Sequence, residues 1–236
     1  MASMFSSSGY SATAWSVGDL SSWNTSSVTN MSNMFYQAGY SATTWSVGDL
    51  SSWSTSNVKY MNSMFNQAGY SATTFILDLS SWDTSSVTNM ASMFSSSGYS
   101  ATTWSVGNLS SWNTPSVTNM SYMFNQAGYS ATTFTLDLSS WDTSSVTNMS
   151  SMFYMAGYDA TTFTLNLSSW NTSNVTNMSN MLFYAGYNAT TWSITIPKTN
   201  NGTATGPISN TTSNLYGSTT SVTATPPSGK SFTLAN

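Results

Sequence analysis

Apolar residues in the first part of a recurring unit have helical spacing. Within residues 24–40, Val28, Met31, Met34 and Phe35 stand at i, i+3, i+6 and i+7. Residues at these intervals lie on one face of a helix. The pattern therefore predicts a short helix whose apolar face needs a packing partner.

Both ends of this segment fit helix caps. Thr25 suits the N-cap, where a hydroxyl accepts a bond from a free backbone N–H. In the fourth unit Pro115 follows the equivalent Thr114, and proline is favoured at the first helical position. Gly39 suits the left-handed residue after a helix, with Tyr40 placed to pack back on the last turn. These residues support the predicted helix boundaries.

The second part of the unit has the period of a strand. Phe134, Leu136 and Leu138 alternate with polar residues, which predicts a short strand with these three side chains inward. The units whose strand segment begins with Trp15, Trp45 or Trp104 carry one additional glycine, at Gly18, Gly48 or Gly107. An extra glycine in a strand-like stretch predicts a β-bulge that lets the register recover on either side.

The two patterns return together every 29 or 30 residues. The tryptophan of a Ser-Ser-Trp triplet marks the period at Trp23, Trp53, Trp82, Trp112, Trp141 and Trp170. A unit of this size cannot bury its apolar face alone, so stacked coils are expected. The sequence predicts an α/β solenoid over residues 1–196 with seven strand segments. All methionines except Met155 fall in two columns of the predicted helices; we expect them in the core, with a promiscuous binding surface as the alternative.

The composition excludes several kinds of site. The chain has 236 residues, of which only 4% are charged: three Lys and seven Asp, with no Arg, Glu, His or Cys. Three scattered lysines cannot neutralise a nucleic acid backbone, and zinc, iron–sulfur and haem sites need Cys or His. No run of about 18 apolar residues is present, so no membrane span is predicted. A serine nucleophile would have no histidine base, so the chain is predicted to be non-catalytic and without cofactors.

One stretch carries a family resemblance. "LSSWDTSSVTNMSSMF", from Leu138 to Phe153, resembles the repeat of BspA-like leucine-rich repeat surface proteins, and residues 1–196 follow the same pattern. The "AGYSATT" insert departs from the shortest repeats of that family. The strand matches the leucine-rich repeat core only at its last two apolar positions.

The resemblance implies a leucine-rich-repeat-like solenoid of helix–strand coils and an extracellular, cell-surface, non-catalytic protein. Its implied role is adhesion, with surface proteins or glycans of a host or a neighbouring cell as partners. No catalytic or binding residue is carried over, since the matching positions are structural.

The two ends depart from the repeat. The chain opens inside a unit without a polar cap, which predicts an open strand edge that something covers. Residues 197–236 are rich in Thr, Ser and Pro. We expect a small C-terminal β module there, with strands in "SVTAT" and "SFTLA" and a turn at "PPSGK". The alternatives are a flexible linker and a strand donated to a neighbouring subunit.

Two columns of polar residues are candidate ligand sites. The first contains the metal candidates Asp19, Asp49, Asp78 and Asp137, interrupted by Asn108 and Asn166. Stacked like charges are unfavourable unless bridged or screened, which raises a Ca²⁺ hypothesis; a solvated row is the alternative. The second column follows the Trp, and its members are expected to support the helix start rather than a metal: Asn24, Ser54, Asp83, Asn113, Asp142 and Asn171.

Threonine and tryptophan columns raise two further hypotheses. Thr43-Thr44, Thr73-Thr74 and their equivalents would form exposed threonine ladders, an arrangement suited to ice binding. The Trp columns could stack on sugars if exposed, or form core if buried. Asn-x-Ser/Thr triplets are glycan acceptors only in a suitable secretory pathway.

Taken together, the sequence predicts an extracellular adhesion or recognition protein that acts through a repetitive face. The alternative is the subunit of an extracellular filament that self-associates through the first coil and the C-terminal tail.

Overall fold

The chain forms a β-solenoid of about six turns. The computed structural model describes residues 1–196 and, beyond them, residues 213–214, 221–222 and 233–234. Each coil contributes one short strand, and we number the coils 1–7 after their strands. The strands are β1 (Ala14–Ser16), β2 (Thr44–Ser46), β3 (Thr74–Ile76), β4 (Thr103–Ser105), β5 (Thr133–Asp137), β6 (Thr162–Asn166) and β7 (Thr191–Ile196). Within the described residues, a 3-10 turn at Leu109–Ser111 is the one helical element, and no helix is long and apolar enough to span a membrane.

Neighbouring strands are parallel and equivalent residues are in register. β1 pairs with β2, β3 with β4, and β5, β6 and β7 form one continuous sheet. Thr133 lies beside Thr162, and Thr162 lies beside Thr191. A second line of parallel bridges runs along another side of the solenoid at Asn30, Tyr60, Asn89, Asn119, Asn148 and Asn177. The predicted repeat solenoid with seven strand segments is confirmed.

The predicted helices are absent from residues 1–196, so the helix–strand, leucine-rich-repeat-like architecture is wrong. The segment from Met31 to Ala38 is a succession of turns. The N–H groups of Met31 and Phe35 donate to the next coil, at 2.9 and 2.8 Å, and Ala38 N–H donates to the carbonyl of Phe35 at 3.1 Å. Asn33 and Gln37 have φ of 54° and 55°, which a right-handed helix does not allow. Two turns in sequence bring Met31, Met34 and Phe35 inward just as a helix would.

The predicted caps have other roles. The Thr25 hydroxyl is buried and donates to the carbonyl of Ser54 in the next coil at 3.0 Å. Pro115 is the second residue of a turn that Val117 N–H closes on the carbonyl of Thr114 at 3.2 Å. Proline presets the same φ for that turn position as for a helix start, so Pro115 could not distinguish the two. Gly39 is left-handed, with φ of 59°, but it belongs to the succession of turns and does not end a helix.

The strand prediction is confirmed, and the extra glycine has a different effect from a bulge. Phe134, Leu136 and Leu138 are at most 4% exposed. In the coils with the extra glycine the strand stops two residues before it, and that glycine is left-handed: φ is 80° at Gly18 and 81° at Gly107. The added residue is therefore absorbed in a loop after a shortened strand.

The core consists of columns that run the length of the solenoid. In coils 2–7 the two methionine columns are fully buried, so the core interpretation is confirmed there. Met4, in the first coil, is 50% exposed. A phenylalanine column stacks beside them with ring centroids 5.2–5.7 Å apart: Phe5, Phe35, Phe65, Phe94, Phe124 and Phe153. Stacked aromatic rings contribute beyond their buried area, by about 0.5–1.5 kcal/mol per pair.

Three short strands lie beyond the solenoid coils. β8 (Ser213–Asn214) pairs antiparallel with β9 (Ser221–Val222), and β10 (Thr233–Leu234) pairs parallel with β7. β9 and β10 fall within the two predicted C-terminal strand segments. The predicted "PPSGK" turn, and most of the proposed module at 197–236, lie outside the described residues.

Candidate recognition surface

The outward side chains of β1–β7 form a hydroxyl-rich surface, which we call the threonine face. The residue before each inward ring is Ala14, Thr44, Thr74, Thr103, Thr133, Thr162 or Thr191. The residue after each ring is Ser16, Ser46, Ile76, Ser105, Thr135, Thr164 or Ser193. Because neighbouring strands in a sheet lie about 4.8 Å apart, these side chains stand in regular rows.

Inward rings fix the position of this face. They stack along the solenoid with centroids 4.5–6.5 Å apart: Trp15, Trp45, Phe75, Trp104, Phe134, Phe163 and Trp192. A glycine of the following coil lies directly against the stem of each ring except Trp192, which belongs to the last coil. A Cβ at Gly157, for example, would lie 2.5 Å from the Cβ of Phe134. The recurring Gly-Tyr pair is thus explained by close approach as well as by left-handed φ.

Hydroxyls on the threonine face of coils 5 and 6 are free to bind a ligand. Within the described residues, Thr133, Thr135, Thr162 and Thr164 make no side-chain hydrogen bond. The column just before the face is different, since Thr43 donates to the carbonyl of Thr13 at 3.1 Å and later members repeat that bond. The predicted threonine ladders are therefore two kinds of column, one bonded to the backbone and one free.

The threonine face is interrupted at two places. β2 is not hydrogen-bonded to β3, and β4 is not hydrogen-bonded to β5. A cleft of about 370 Å³ opens at the second interruption, between residues 102–107 and residues 132–136. The inward rings continue across it, because Trp104 and Phe134 stack at 4.9 Å. The break is therefore confined to the outer layer.

A tyrosine ladder runs beside the threonine face. Its rings stack at 4.5–5.3 Å in the order Tyr10, Tyr40, Tyr70, Tyr99, Tyr129, Tyr158 and Tyr187. Burial, followed by the neighbouring phenols and Asp159, raises the pKa of Tyr129 to about 12. Burial also raises the pKa values of Tyr70, Tyr99 and Tyr158. The rings cover one another, so the ladder presents ring edges and hydroxyls to solvent.

The four metal candidates lie in an exposed column and are engaged by their own turns. Asp19 and Asp49 border an open depression of about 520 Å³. The Ser51 N–H donates to Asp49 at 2.8 Å, and this bond lowers the pKa of Asp49 although Asp19 and Asp78 oppose the shift. Asp137 accepts from Ser139 in the same way, at 3.0 Å. No three acidic side chains among the described residues come together as a metal site, so the Ca²⁺ hypothesis stays a prediction.

The second polar column supports turns. Asp83 accepts the N–H of Ser85 at 2.9 Å, and Asp142 accepts that of Ser144 at 2.9 Å. Bonds from the serine hydroxyls, followed by these backbone bonds, lower the pKa of both carboxyls. The column stabilises a local bend, as expected, but the bend is a turn rather than a helix start.

The tryptophan columns are core. Trp53, Trp82, Trp112, Trp141 and Trp170 are at most 2% exposed. Each indole N–H donates to a leucine carbonyl of the preceding coil; the Trp170 bond to Leu138 measures 2.8 Å. These buried rings cannot stack on a sugar, so the core alternative is confirmed for coils 2–6.

The fold and surface define a repeat β-solenoid protein with an uncharged, hydroxyl-rich face. The chain belongs to the family described as Mycoplasma protein of unknown function, DUF285, whose model matches residues 1–127 and again residues 70–195. No curated protein and no solved structure matches the chain. The match supports a repeat family, while the resemblance to BspA-like leucine-rich repeats is not confirmed.

Proposed function

We propose that the protein is a non-catalytic recognition protein of the cell exterior that binds other surfaces through the threonine face. The observation that carries this proposal is the row of in-register, unbonded hydroxyls on β5 and β6. Equivalent groups repeat along the solenoid, so one partner can engage several coils at once. Such multivalent contact raises affinity without any single strong site.

The chemistry of the face favours a neutral partner. A threonine hydroxyl can both donate and accept a hydrogen bond, and its β-branched side chain has few rotamers to lose on binding. The threonine face carries no lysine and no carboxylate, and Asp137 lies two residues beyond it on β5. Binding is therefore expected to depend weakly on salt. Cell-surface proteins or glycans, which the family resemblance implies, fit this description.

A panel of immobilised cell-surface proteins and glycans tests the proposal. The informative variant is T133K/T191K, which places bulky charges at two exposed positions of the threonine face. The matched control is S116K/S173K, which adds the same charge at exposed turns away from the face. We expect binding in the wild type and the control, and loss in the face variant. Equal binding by all three proteins, or no binding to any panel member, would contradict the proposal.

Ice binding is a second candidate, favoured by one observation. Thr133 and Thr135 lie beside Thr162 and Thr164, forming a grid with rows about 4.8 Å apart and columns about 6.6 Å apart. A rigid grid of hydroxyls and methyl groups can hold ordered water. Thermal hysteresis in the wild type that T133K/T191K lacks would support this function, and absence of hysteresis would remove it.

A further inference from the structure

The interruptions of the threonine face have a definite cause in the sequence. Each one follows a coil with the extra glycine and precedes a coil without it. β4 stops at Ser105 and the chain turns away at Gly107, whereas β5 continues to Asp137. The two strands therefore diverge after their first residues, and the cleft is built into the repeat.

The cleft has the size of a small-ligand site. Its volume of about 370 Å³ lies in the range of ligand pockets, roughly 300–1,000 Å³. Its walls include Thr103 and Ser105 on one side and Thr133 and Thr135 on the other. Buried Trp104 and Leu136, 6% and 4% exposed, form an apolar floor. An apolar floor with a few hydroxyls above it can both bury and orient a ligand.

The polar groups of the cleft are available and neutral. Thr133 and Thr135 have no side-chain partner within the described residues, while Ser105 accepts the N–H of Gly107 at 3.3 Å. The facing backbone edges of β4 and β5 are not joined by the ladder, and backbone N–H and carbonyl groups require partners. All the lining residues are uncharged.

A carboxylate of coil 3 lies behind the coil 4 wall of the cleft and is not part of its lining. Asp78 Oδ1 is the atom nearest to the position that a Cβ at Gly107 would occupy, at 2.5 Å. Bonds from Ser80 lower the pKa of Asp78, so it is ionised at neutral pH. An ionised carboxylate accepts hydrogen bonds from hydroxyl groups and repels anions. The uncharged lining, with this negative charge behind it, therefore favours a neutral, hydroxyl-bearing ligand over an anion.

We propose that the cleft between β4 and β5 binds a short stretch of a neutral glycan, with Thr133, Thr135 and the open strand edges contacting its hydroxyls. This inference rests on the proposed recognition function and names the ligand class of one part of the threonine face. From β5 to β7 the strands pair residue by residue, so the sheet has no interruption of this kind there.

Calorimetry with neutral oligosaccharides of glucose, mannose, xylose and N-acetylglucosamine tests the inference, with a sialylated oligosaccharide as the anionic counterpart. The cleft variant is T133V/T135V, which removes two hydroxyls and keeps the β-branched shape. Its matched control is T118V/T147V, two exposed threonines beside the second line of bridges and outside the threonine face. We expect at least one neutral oligosaccharide to bind and the sialylated one to bind more weakly. The cleft variant should lose roughly tenfold in affinity, as about one lost hydrogen bond implies, and the control should stay within about twofold.

Deletion of Gly107 gives a second measurement. It converts coil 4 to the shorter form and should let β4 pair with β5, which closes the cleft and abolishes oligosaccharide binding. Deletion of Gly18 is the control, because it alters a coil far from the cleft. Oligosaccharide binding that survives both T133V/T135V and the Gly107 deletion overturns the cleft inference but leaves the proposed function standing. Absence of binding by every neutral oligosaccharide also overturns the inference, while the protein panel tests the proposed function separately.

Discussion

Coils 1–4 and coils 5–7 share one core but differ in their outer layer. In coils 5–7 the strands have five or six residues and form a continuous sheet. In coils 1–4 the strands have three residues and pair only two by two. A single extra glycine is present in coils 1, 2 and 4, and coil 3, which lacks it, pairs only with the short strand of coil 4. One inserted residue thus changes the surface without changing the stacking period of the core.

The aromatic columns explain why the insertion is tolerated. Ring stacking continues through both interruptions, at 4.5 Å between Trp45 and Phe75 and at 4.9 Å between Trp104 and Phe134. Stacking of equivalent side chains transmits order between coils even where the strand ladder stops. We therefore expect stability to depend mainly on the inner columns, which leaves the outer layer free to vary.

The largest expected effect is that of removing a ring at the junction of the two regions. Phe134→Ala deletes a fully buried ring that stacks on both Trp104 and Phe163. We expect a loss of about 3–5 kcal/mol in the free energy of unfolding, measured by urea unfolding. The control is Ile76→Ala on the threonine face, whose side chain is 61% exposed and should cost about 0.5 kcal/mol or less. Similar losses for the two variants would show that the outer layer carries as much stability as the core.

A pair of glycine variants sharpens the same contrast. Gly157→Ala adds a Cβ about 2.5 Å from that of Phe134 in a left-handed residue. Left-handed strain of about 1–2 kcal/mol and overpacking of about 1–3 kcal/mol give an expected loss of about 3 kcal/mol. Gly18→Ala meets no atom within 4 Å and should show the strain alone. Thermal and urea unfolding of both variants measure the difference, and equal losses would mean that close approach to the ring is unimportant.

Buried and exposed threonines should also differ. The Thr143 hydroxyl donates to the carbonyl of Asn171 at 2.9 Å and accepts its N–H at 2.8 Å. Thr143→Val leaves both groups of Asn171 unpaired, which should cost about 1–3 kcal/mol. Thr191→Val on the threonine face should change stability by about 0.5 kcal/mol or less. Chemical denaturation measures the free energy of unfolding of the two variants. Unchanged stability of Thr143→Val would show that water replaces the buried hydroxyl.

The sequence predicted those features that depend on local pattern. Inward Phe134 and Leu136, the buried methionine columns and left-handed Gly39 all follow from periodicity or from the steric freedom of glycine. The repeat length predicted the stacking of coils. Each of these signals lies within a single repeat unit, so the local sequence is enough to predict the feature.

The helix was wrongly predicted because the decisive interactions lie between coils. Met31 N–H bonds to Tyr60 O, 29 residues away, and no local pattern encodes such a bond. The apolar spacing and Pro115 fit a succession of turns as well as they fit a helix. The missed signal was composition, because the segment is rich in Ser, Thr and Asn, which favour turns over helix interiors. The cleft could not be predicted either. The sequence contains the extra Gly107, but it does not show that β4 and β5 fail to pair.

The smallest expected effect concerns the tyrosine ladder, which crosses both regions without a break. The pKa of Tyr129 is raised from 10.0 to about 12, chiefly by burial. Because the neutral phenol is favoured in the folded state, its contribution to stability is complete below pH 10. It is lost as the pH rises from 10 to about 12. Ultraviolet titration of phenolate should show that Tyr129→Phe removes absorbance at the high end of this range.

The matched control for that titration is Tyr122→Phe, which removes a 46% exposed phenol outside the ladder. It should leave the high-pH step intact. If Tyr129→Phe instead removes absorbance near pH 10, solvent reaches the stacked phenols freely and the ladder does not bury them. The outer layer would then be open along its whole length, and the contrast between the two regions would be confined to the strands.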